Sequence, residues 1–448
     1  MFERNLIVEL KKWASKKNPK PLILRGSRQV GKTTLVDFFS KEFTTYLYLN
    51  LEKNPSASNL FEKEQEMEDL LADIFLFSNK EKKPGKTLLF IDEVQNSKTA
   101  IIKLRYFYEA KIPELYVIAA GSLLETMLNK KVSFPVGRVE YMAVRPCVFN
   151  EFLLATGETQ LEKALLNCHI PDALHIKTMS LFNTFTLIGG MPEVVADYAE
   201  NKDFIGLNTI YESLLTSFRD DVEKYARNET MSQTIQYILE FGWKFATERI
   251  VLGGFAGSSY KSREMGEAFR TLEKTFLLEL CYPTSDTIIP VTKNLKRSPK
   301  LLWLDFGLVN YAANVQKEVF GANDILDVWR GKIAEQIVAQ ELLALDNRVS
   351  SQRIFWVRNK KDSEAEVDFL LQYDNKVIPV EVKSGHNAKL HSLHLFMDEV
   401  PHNIAVRVWS QPFSIDEVMT KRNKKFKLIN LPFYYVGMLK KILQAEAK

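Results

Sequence analysis

The chain is poor in cysteine: three in 448 residues, Cys147, Cys168 and Cys281, far apart and with no CxxC spacing. That excludes a disulfide-stapled fold, argues against a cysteine zinc site and fits a reducing cytoplasm. No apolar run approaches the roughly 18 residues that a bilayer-spanning helix needs, so no membrane partner is expected. The opening stretch MFERNLIVELKKW is charged and amphipathic, unlike a secretory leader. Internal repeats, low-complexity tracts and long Gly/Ser linkers are also missing. With 46% hydrophobic and 26% charged residues the composition is that of soluble globular protein, not of a disordered chain. At ~150 residues per domain, the length suggests about three domains.

Excess charge is nearly absent, at 60 basic against 56 acidic residues, and what there is lies at one end. Residues 331–448 hold 18 Lys+Arg against 14 Asp+Glu, whereas residues 1–330 hold 42 of each. Lys421, Arg422, Lys424, Lys425 and Lys427 form a cluster that could meet a polyanion such as DNA. A solvated basic loop accounts for it equally well.

Pattern changes divide the chain. In residues 1–150 short apolar runs (PLILRG, YLYLNL, KTLLFID, LYVIAAGS and VEYMAV) alternate with longer helical stretches. Near-continuous apolar strands alternating with helices predict an α/β domain, its parallel sheet covered on both faces. From about 150 to 245 the text is helical, broken by Gly189-Gly190-Met191-Pro192. The stretch SREMGEAFRTLEKTFLLELCYP has the size and periodicity of a helix-turn-helix ending in a wing strand. After 328 come one long helix and the strands IFWVR, EVDFLLQY and KVIPVEVK, α/β again.

Residues 26–33 read GSRQVGKT, a GxxxxGK[ST] pattern between an apolar strand and an amphipathic helix. Glycines let backbone N–H groups converge on phosphate oxygens, and the helix N-terminus adds its positive end. Gly26, Ser27, Arg28, Gln29, Val30, Gly31, Lys32, Thr33 and Thr34 are therefore the candidate nucleotide-binding residues. Lys32 is expected to reach the β- and γ-phosphates, and the Thr33 hydroxyl to complete a magnesium shell. Roughly 60 residues downstream LLFIDE ends in two carboxylates. Asp92 is placed to hold Mg2+, and Glu93 to orient and deprotonate an attacking water. Binding of ATP or GTP, followed by hydrolysis, is the expectation. Ser122, at the tip of LYVIAAGS, is a candidate sensor of the γ-phosphate, or a cap of the next helix. Arg138 is a candidate for the arginine that a phosphoryl-transfer transition state calls for, in cis or in trans; an ion pair at the surface is the alternative. If it acts in trans, a homo-oligomer follows.

These motifs, with FPVGRVEYMAVRPCVFNEFL, IGGMPEVV, FRDDVEKY, LLWLDFGLVNYAA, GKIAEQIVAQEL and VDFLL…VIPVEVKSG, resemble a bacterial and archaeal family of AAA-type P-loop ATPases whose C-terminal half is a domain of unknown function. The resemblance covers nearly the whole chain and keeps the order of motifs. It implies a P-loop NTPase sheet over 1–155, a helical lid over 156–230, a winged-helix-like segment over 231–327 and a restriction-endonuclease-like α/β domain over 328–448. It does not settle a biological role. The chain departs from the family around VLGGFAGSSYKS, which is rich in Gly and Ser.

The last domain holds a second constellation. If Asp374-Asn375 is a two-residue hairpin turn, Asp368 faces Glu381, and Val367, Phe369 and Leu371 face Val382, Val380 and Ile378. One face is then apolar and the other brings two carboxylates to about 5 Å. Lys383 lies on the carboxylate face. Like charges directly opposite need something positive between them, and Mg2+ held by Asp368, Glu381 and Glu335 is the expected candidate. The arrangement is similar to the D…(D/E)xK set of restriction-endonuclease-like folds, where carboxylates bind metal and the lysine helps activate water. An inactive copy, with Lys383 neutralising the carboxylates, is the alternative. Pro379 inside the second strand points to an edge or a bulge, which would shift the register.

The sequence thus leads to an ATP-driven switch on nucleic acid whose C-terminal nuclease-like domain is a candidate for cleavage. Its rival is a signalling or scaffold ATPase whose C-terminal domain docks a protein partner.

Overall fold

The structure, a computed structural model, describes residues 2–121, 137–315, 332–359, 365–383 and 390–446. Five strands, β1 (Leu22–Arg25), β2 (Thr45–Asn50), β3 (Thr87–Asp92), β4 (Leu115–Gly121) and β5 (Glu140–Ala143), form one parallel sheet in the order β2-β3-β4-β1-β5. They coincide with the five apolar runs. Alternate side chains pack on opposite sides: Leu22, Leu24, Leu88 and Phe90 enter one core, Ile23, Leu89 and Ile91 the other. Being buried on both faces is why these strands read as continuous apolar text. The connections from β1 and from β4 leave in opposite directions, so the strand order reverses between them. Ligands of open α/β sheets bind at the carboxyl edge of such a point.

The helical text after β5 forms helices Phe149–Ala155, Thr159–Leu166, His175–Ile188, Pro192–Asn201 and Leu207–Asp220. Gly189 and Gly190 break it because backbone passes too close for a side chain. A Cβ on Gly190 would lie 2.2 Å from the Cys147 carbonyl oxygen, and one on Gly189 would lie 2.3 Å from Asp305 Oδ1. Asp305, fully buried, accepts from Gly190 N (2.6 Å), Leu308 N (3.1 Å) and Gln340 Nε2 (3.1 Å). One carboxylate thus ties the helical region to residues 305–308 and to helix Lys332–Ala344.

The expected helix-turn-helix in 262–283 takes another form. Ser262–Lys274 is one helix running into β6 (Leu278–Cys281), and the helix it packs on is Glu229–Phe241. The capping side chain of Glu264, which accepts from Lys261 N, starts a single helix here. β7 (Pro283–Thr284) follows β6, and β8 (Lys300–Trp303) pairs with β6 antiparallel. β7 pairs parallel with β9 (Phe355–Val357), which pairs antiparallel with β10 (Glu366–Val367). A strand pair therefore bridges the boundary expected near 328. β11 (Phe369–Tyr373), β12 (Lys376–Val382), β13 (Ile404–Trp409), β14 (Ser414–Met419) and β15 (Lys425–Pro432) form the last sheet, ordered β11-β12-β13-β15-β14. No described helix is long and apolar enough to cross a membrane.

Glu341 gives the fold a pH dependence. It is buried, and its Oε1 accepts from Phe149 N at 2.9 Å. Burial pushes its pKa from 4.5 up to about 8. Between these values the folded chain keeps a proton that the unfolded chain loses, so stability falls as pH rises through that window. Glu341→Gln keeps an acceptor and removes the ionisation. Its melting temperature should match the wild type near pH 4.5 and exceed it at pH 8; melting curves that stay parallel across the window would contradict this.

Candidate nucleotide site and C-terminal charge cluster

β1 delivers the chain to Gly26, where a Cβ would lie 2.2 Å from Val144 O. Glycine is required there by space. Gln29 (φ +59°) and Gly31 (φ +86°) turn the loop through left-handed backbone, and helix Lys32–Phe39 starts at once. Lys32 is folded back into the loop, its Nζ donating to Gly26 O (3.0 Å) and Ser27 O (2.8 Å). Burial lowers its pKa to about 8, against the opposing pull of Glu93 and Asp92. A loop of backbone donors with a desolvated ammonium at its centre is suited to an anion.

Asp92 ends β3 and is buried. Its Oδ2 accepts from Thr33 Oγ1 (2.9 Å) and Tyr48 OH (3.2 Å), and its Oδ1 from Glu93 N (3.1 Å). Glu93 adopts left-handed backbone (φ +51°, ψ +44°), uncommon for a side chain of this kind. Burial raises its pKa, and Gln95 Nε2 donates to its carboxylate.

A cavity of about 570 Å³ opens beside these groups. Lys32, Thr33, Thr34 and Glu93 line it together with the apolar Phe2, Ile7, Leu35, Phe38, Pro192 and Ala196. Arg4 joins its walls, donating to Val30 O (3.3 Å) and Arg145 O (2.7 Å) and pairing with Glu151 at 3.0 Å. Arg28 pairs with Asp221 (2.8 Å) and Glu52 (3.3 Å), and Lys224 with the same two carboxylates. The charges of FRDDVEKY therefore reach the loop itself.

The structure brings Lys32, Thr33, Asp92 and Glu93 together as expected. Ser122 lies outside the described residues. Arg138 precedes β5, and the pairing of Glu140 with Leu22 sets it at the amino edge of the sheet, away from the loop of its own chain. It pairs there with Glu109 at 3.1 Å. Arg4, Tyr48, Gln95 and Pro192 are site residues that the motifs do not reveal.

Residues 18–153 match an AAA domain family. The chain carries an AAA domain. Two domains of unknown function follow it, DUF8612 over residues 179–319 and DUF4143 over residues 330–432. Among solved structures the chain is similar to the Walker-type ATPase paby2304 of Pyrococcus abyssi (15% identity, 70% of this chain and 96% of that one, TM-score 0.44). It is also similar to the Aeropyrum pernix ORC1 protein in complex with DNA (11%, 70% and 93%, TM-score 0.25) and to a Thermotoga maritima RuvB (15%, 65% and 92%, TM-score 0.29). No curated protein matches the chain.

Beyond the AAA domain, the β11–β12 hairpin has the expected register. Phe369 faces Val380 and Leu371 faces Ile378, and Asp374 and Asn375 are both left-handed, as a two-residue primed turn requires. Pro379 sits opposite Leu370 within the ladder, so the expected bulge is absent. The ladder stops at Asp368, which leaves the strand and accepts from Val382 N through Oδ2 at 2.7 Å. Glu381 pairs with Lys383 (2.8 Å), and its other oxygen is buried without a partner.

The positive charge between the carboxylates is an ammonium group. Lys300 of β8, its side chain 4% exposed, lies 2.8 Å from Glu335, 2.6 Å from Glu366 and 3.7 Å from Asp368. Burial lowers its pKa, but these carboxylates outweigh burial and the net shift is upward. Burial and Asp368 push Glu335 up to about 7 and Glu381 up to about 8. Among the described residues no three His, Cys, Asp or Glu side chains are placed to hold a metal ion. Of the expected Mg2+ ligands, Glu335 and Asp368 thus lie around Lys300, and Glu381 pairs with Lys383.

The basic cluster lies elsewhere. Lys421, Arg422 and Lys425 are exposed around the β14–β15 turn. Glu381 is in register with Arg407 and Asn430, so the turn is at the opposite edge of the sheet, roughly 17 Å along the strands at ~3.3 Å per residue.

Proposed function

We propose that this AAA-domain chain is a magnesium-dependent ATP hydrolase working as a conformational switch. The observation that carries the reading is that Lys32, Thr33 and Glu93 line one partly apolar cavity, with Asp92 hydrogen-bonded to Thr33 beside it. Adenine is suited to the apolar lining and the triphosphate to the loop. The hydroxyl of Thr33 and the carboxylate of Asp92 are hard oxygen donors side by side, the donor set that Mg2+ prefers. Bound there, the ion would neutralise charge on the β- and γ-phosphates. Glu93 orients water and takes its proton at a carboxylate oxygen. The water oxygen bonds to the γ-phosphorus as the bond to the bridging oxygen breaks, leaving ADP and phosphate. Burial raises the Glu93 pKa, which makes its carboxylate a better proton acceptor.

Pro192 and Ala196 form a wall of the cavity, and Gly190 is tied through Asp305 to Gln340. Nucleotide occupancy would therefore bear on the C-terminal half. In this reading 1–155 is the ATPase core, 156–230 the lid, 231–327 a winged-helix-like region and 328–448 a nuclease-like domain. Arg138 would reach a nucleotide only on a neighbouring chain, which makes a homo-oligomer part of the proposal.

Glu93→Gln should bind ATP normally and turn it over at least about a hundredfold more slowly. Steady-state phosphate release checks this; turnover at the wild-type rate would remove Glu93 from the mechanism.

For the C-terminal half, Lys300 favours a binding module over a nuclease. DNA, or a protein partner with an acidic surface, would meet the basic turn at the edge away from the carboxylates. A plasmid-nicking assay with Mg2+ or Mn2+, with and without ATP, tests this. Cleavage by the wild type and not by Lys383→Ala would restore the nuclease reading.

A further inference from the structure

Tyr48 and Asn50 lie on β2, the edge strand next to β3, and on the face that Asp92 shares. The two strands run parallel, with Tyr48 opposite Phe90 and Asn50 opposite Asp92. Alternate positions of a strand point to opposite faces, and Leu47 and Leu49 enter the core on the other side. Core packing accounts for those leucines but not for the tyrosine. Its ring stacks on Phe90, with centroids 5.5 Å apart, yet the residue is 38% exposed.

What Tyr48 supplies is a hydroxyl whose proton has one direction. Asn50 Oδ1 accepts from Glu52 N (3.0 Å) and Lys53 N (2.7 Å) in the turn after β2, and only the amide oxygen can do so. The amide nitrogen is thereby identified, and it donates to the Tyr48 oxygen at 3.1 Å. Because that nitrogen cannot accept, the phenol's own proton is left for Asp92 Oδ2 at 3.2 Å. Two backbone N–H groups in the turn thus set the polarity of a chain that runs through Asn50 and Tyr48 to Asp92.

Asp92 consequently receives three donors: Glu93 N on Oδ1, and Thr33 Oγ1 and Tyr48 OH on Oδ2. Thr33 belongs to the helix that leaves the nucleotide loop, and Glu93 is the next residue of the same strand end. Tyr48 reaches Asp92 from a neighbouring strand, so its hold on the carboxylate does not depend on how the loop adjusts to a nucleotide. Tyr46, two residues earlier on the same face, makes its own contact elsewhere. It stacks beside Tyr48 (6.3 Å) and donates to Asp37 Oδ1 at 2.6 Å.

We propose that Tyr48 is a positioning residue for the metal: its hydroxyl, oriented by Asn50, fixes the Asp92 carboxylate in the orientation in which it and Thr33 offer oxygen to Mg2+. Groups that hold a ligand carboxylate in this way typically matter about 10–100-fold in metal affinity. Tyr48 does not line the nucleotide cavity, so the nucleotide alone should not sense it. The role rests on the reading of Thr33 and Asp92 as the magnesium-holding pair, and the two can fail separately.

The test uses the full chain, with ADP as the nucleotide and Mn2+ as the metal probe, free Mn2+ being counted by electron paramagnetic resonance. Thr33→Ala should weaken Mn2+ binding to the ADP complex, as the metal reading requires. Tyr48→Phe keeps the ring on Phe90 and should weaken Mn2+ binding about tenfold while metal-free ADP affinity stays unchanged. Tyr46→Phe, which removes the neighbouring hydroxyl, should leave both affinities as they are. In steady-state hydrolysis the Mg2+ concentration for half-maximal rate should rise in Tyr48→Phe by the factor seen with Mn2+. Wild-type Mn2+ affinity in Tyr48→Phe, beside weakened binding in Thr33→Ala, overturns the role of Tyr48 alone. Equal loss of ADP and Mn2+ affinity in Tyr48→Phe also overturns it, since that marks a general disturbance of the loop. Wild-type Mn2+ affinity in Thr33→Ala overturns the metal reading, and the role of Tyr48 with it.

Discussion

Lys32→Ala should lower ATP affinity at least about a hundredfold, because charged hydrogen bonds contribute ~1.5–3 kcal/mol each. The variant loses more than a donor. Lys32 is the ammonium that faces Asp92 and Glu93, so without it two carboxylates confront a triphosphate uncompensated. Its fold should hold, since the side chain spans the loop by hydrogen bonds to two carbonyls and carries little of the core. A pH signature accompanies the loss. With the Lys32 pKa lowered to about 8, the ammonium loses its proton as pH rises past that value. Phosphate favours the charged form, so ATP binding should take up a proton above pH 8 and weaken with further rise. Calorimetry in buffers of different ionisation enthalpy measures that uptake. Unchanged affinity in Lys32→Ala would refute the assignment of residues 26–33.

The second large effect is expected at Lys300. Lys300→Met keeps the length of the side chain and removes the charge that Glu335, Glu366 and Asp368 share. Breaking a buried ion pair by removing one partner costs about 3–5 kcal/mol, because the remaining charge is left desolvated. Arg249, 2.5 Å from Glu366, compensates only one of the three carboxylates. The penalty has a predictable pH dependence. Glu335 and Asp368 already have raised pKa values, and without Lys300 they rise further. A folded-state pKa above the unfolded one makes stability fall as pH rises through the interval between them. The deficit of Lys300→Met against the wild type should therefore be largest near pH 8 and shrink towards pH 5. Thermal melting across that range is the measurement. A deficit that does not vary with pH would mean that Lys300 acts by packing alone.

The β11–β12 register was legible from Phe369 to Tyr373, because a two-residue turn fixes the pairs next to it, but the expected Asp368–Glu381 pair lies beyond the ladder. The five strands of the AAA domain were legible because burial on both faces leaves an unbroken apolar run. GSRQVGKT and LLFIDE were legible because phosphate and magnesium demand particular residue types at short spacing. All three signals are local. Lys300 left no such trace: it is one charged residue in an apolar strand, and its partners lie 35 to 68 residues further along the chain. The carboxylates were visible in the sequence, and the lysine that reaches them from β8 was not. Arg4 at the loop, Asp221 on Arg28, and the separation of the basic turn from the carboxylates likewise depend on how distant segments stack. The sequence by itself determined the strands, the loop and the two carboxylates that make the AAA domain recognisable. The tertiary structure alone decided which charges meet, since electrostatic partners are selected by proximity in space and carry no periodicity along the chain.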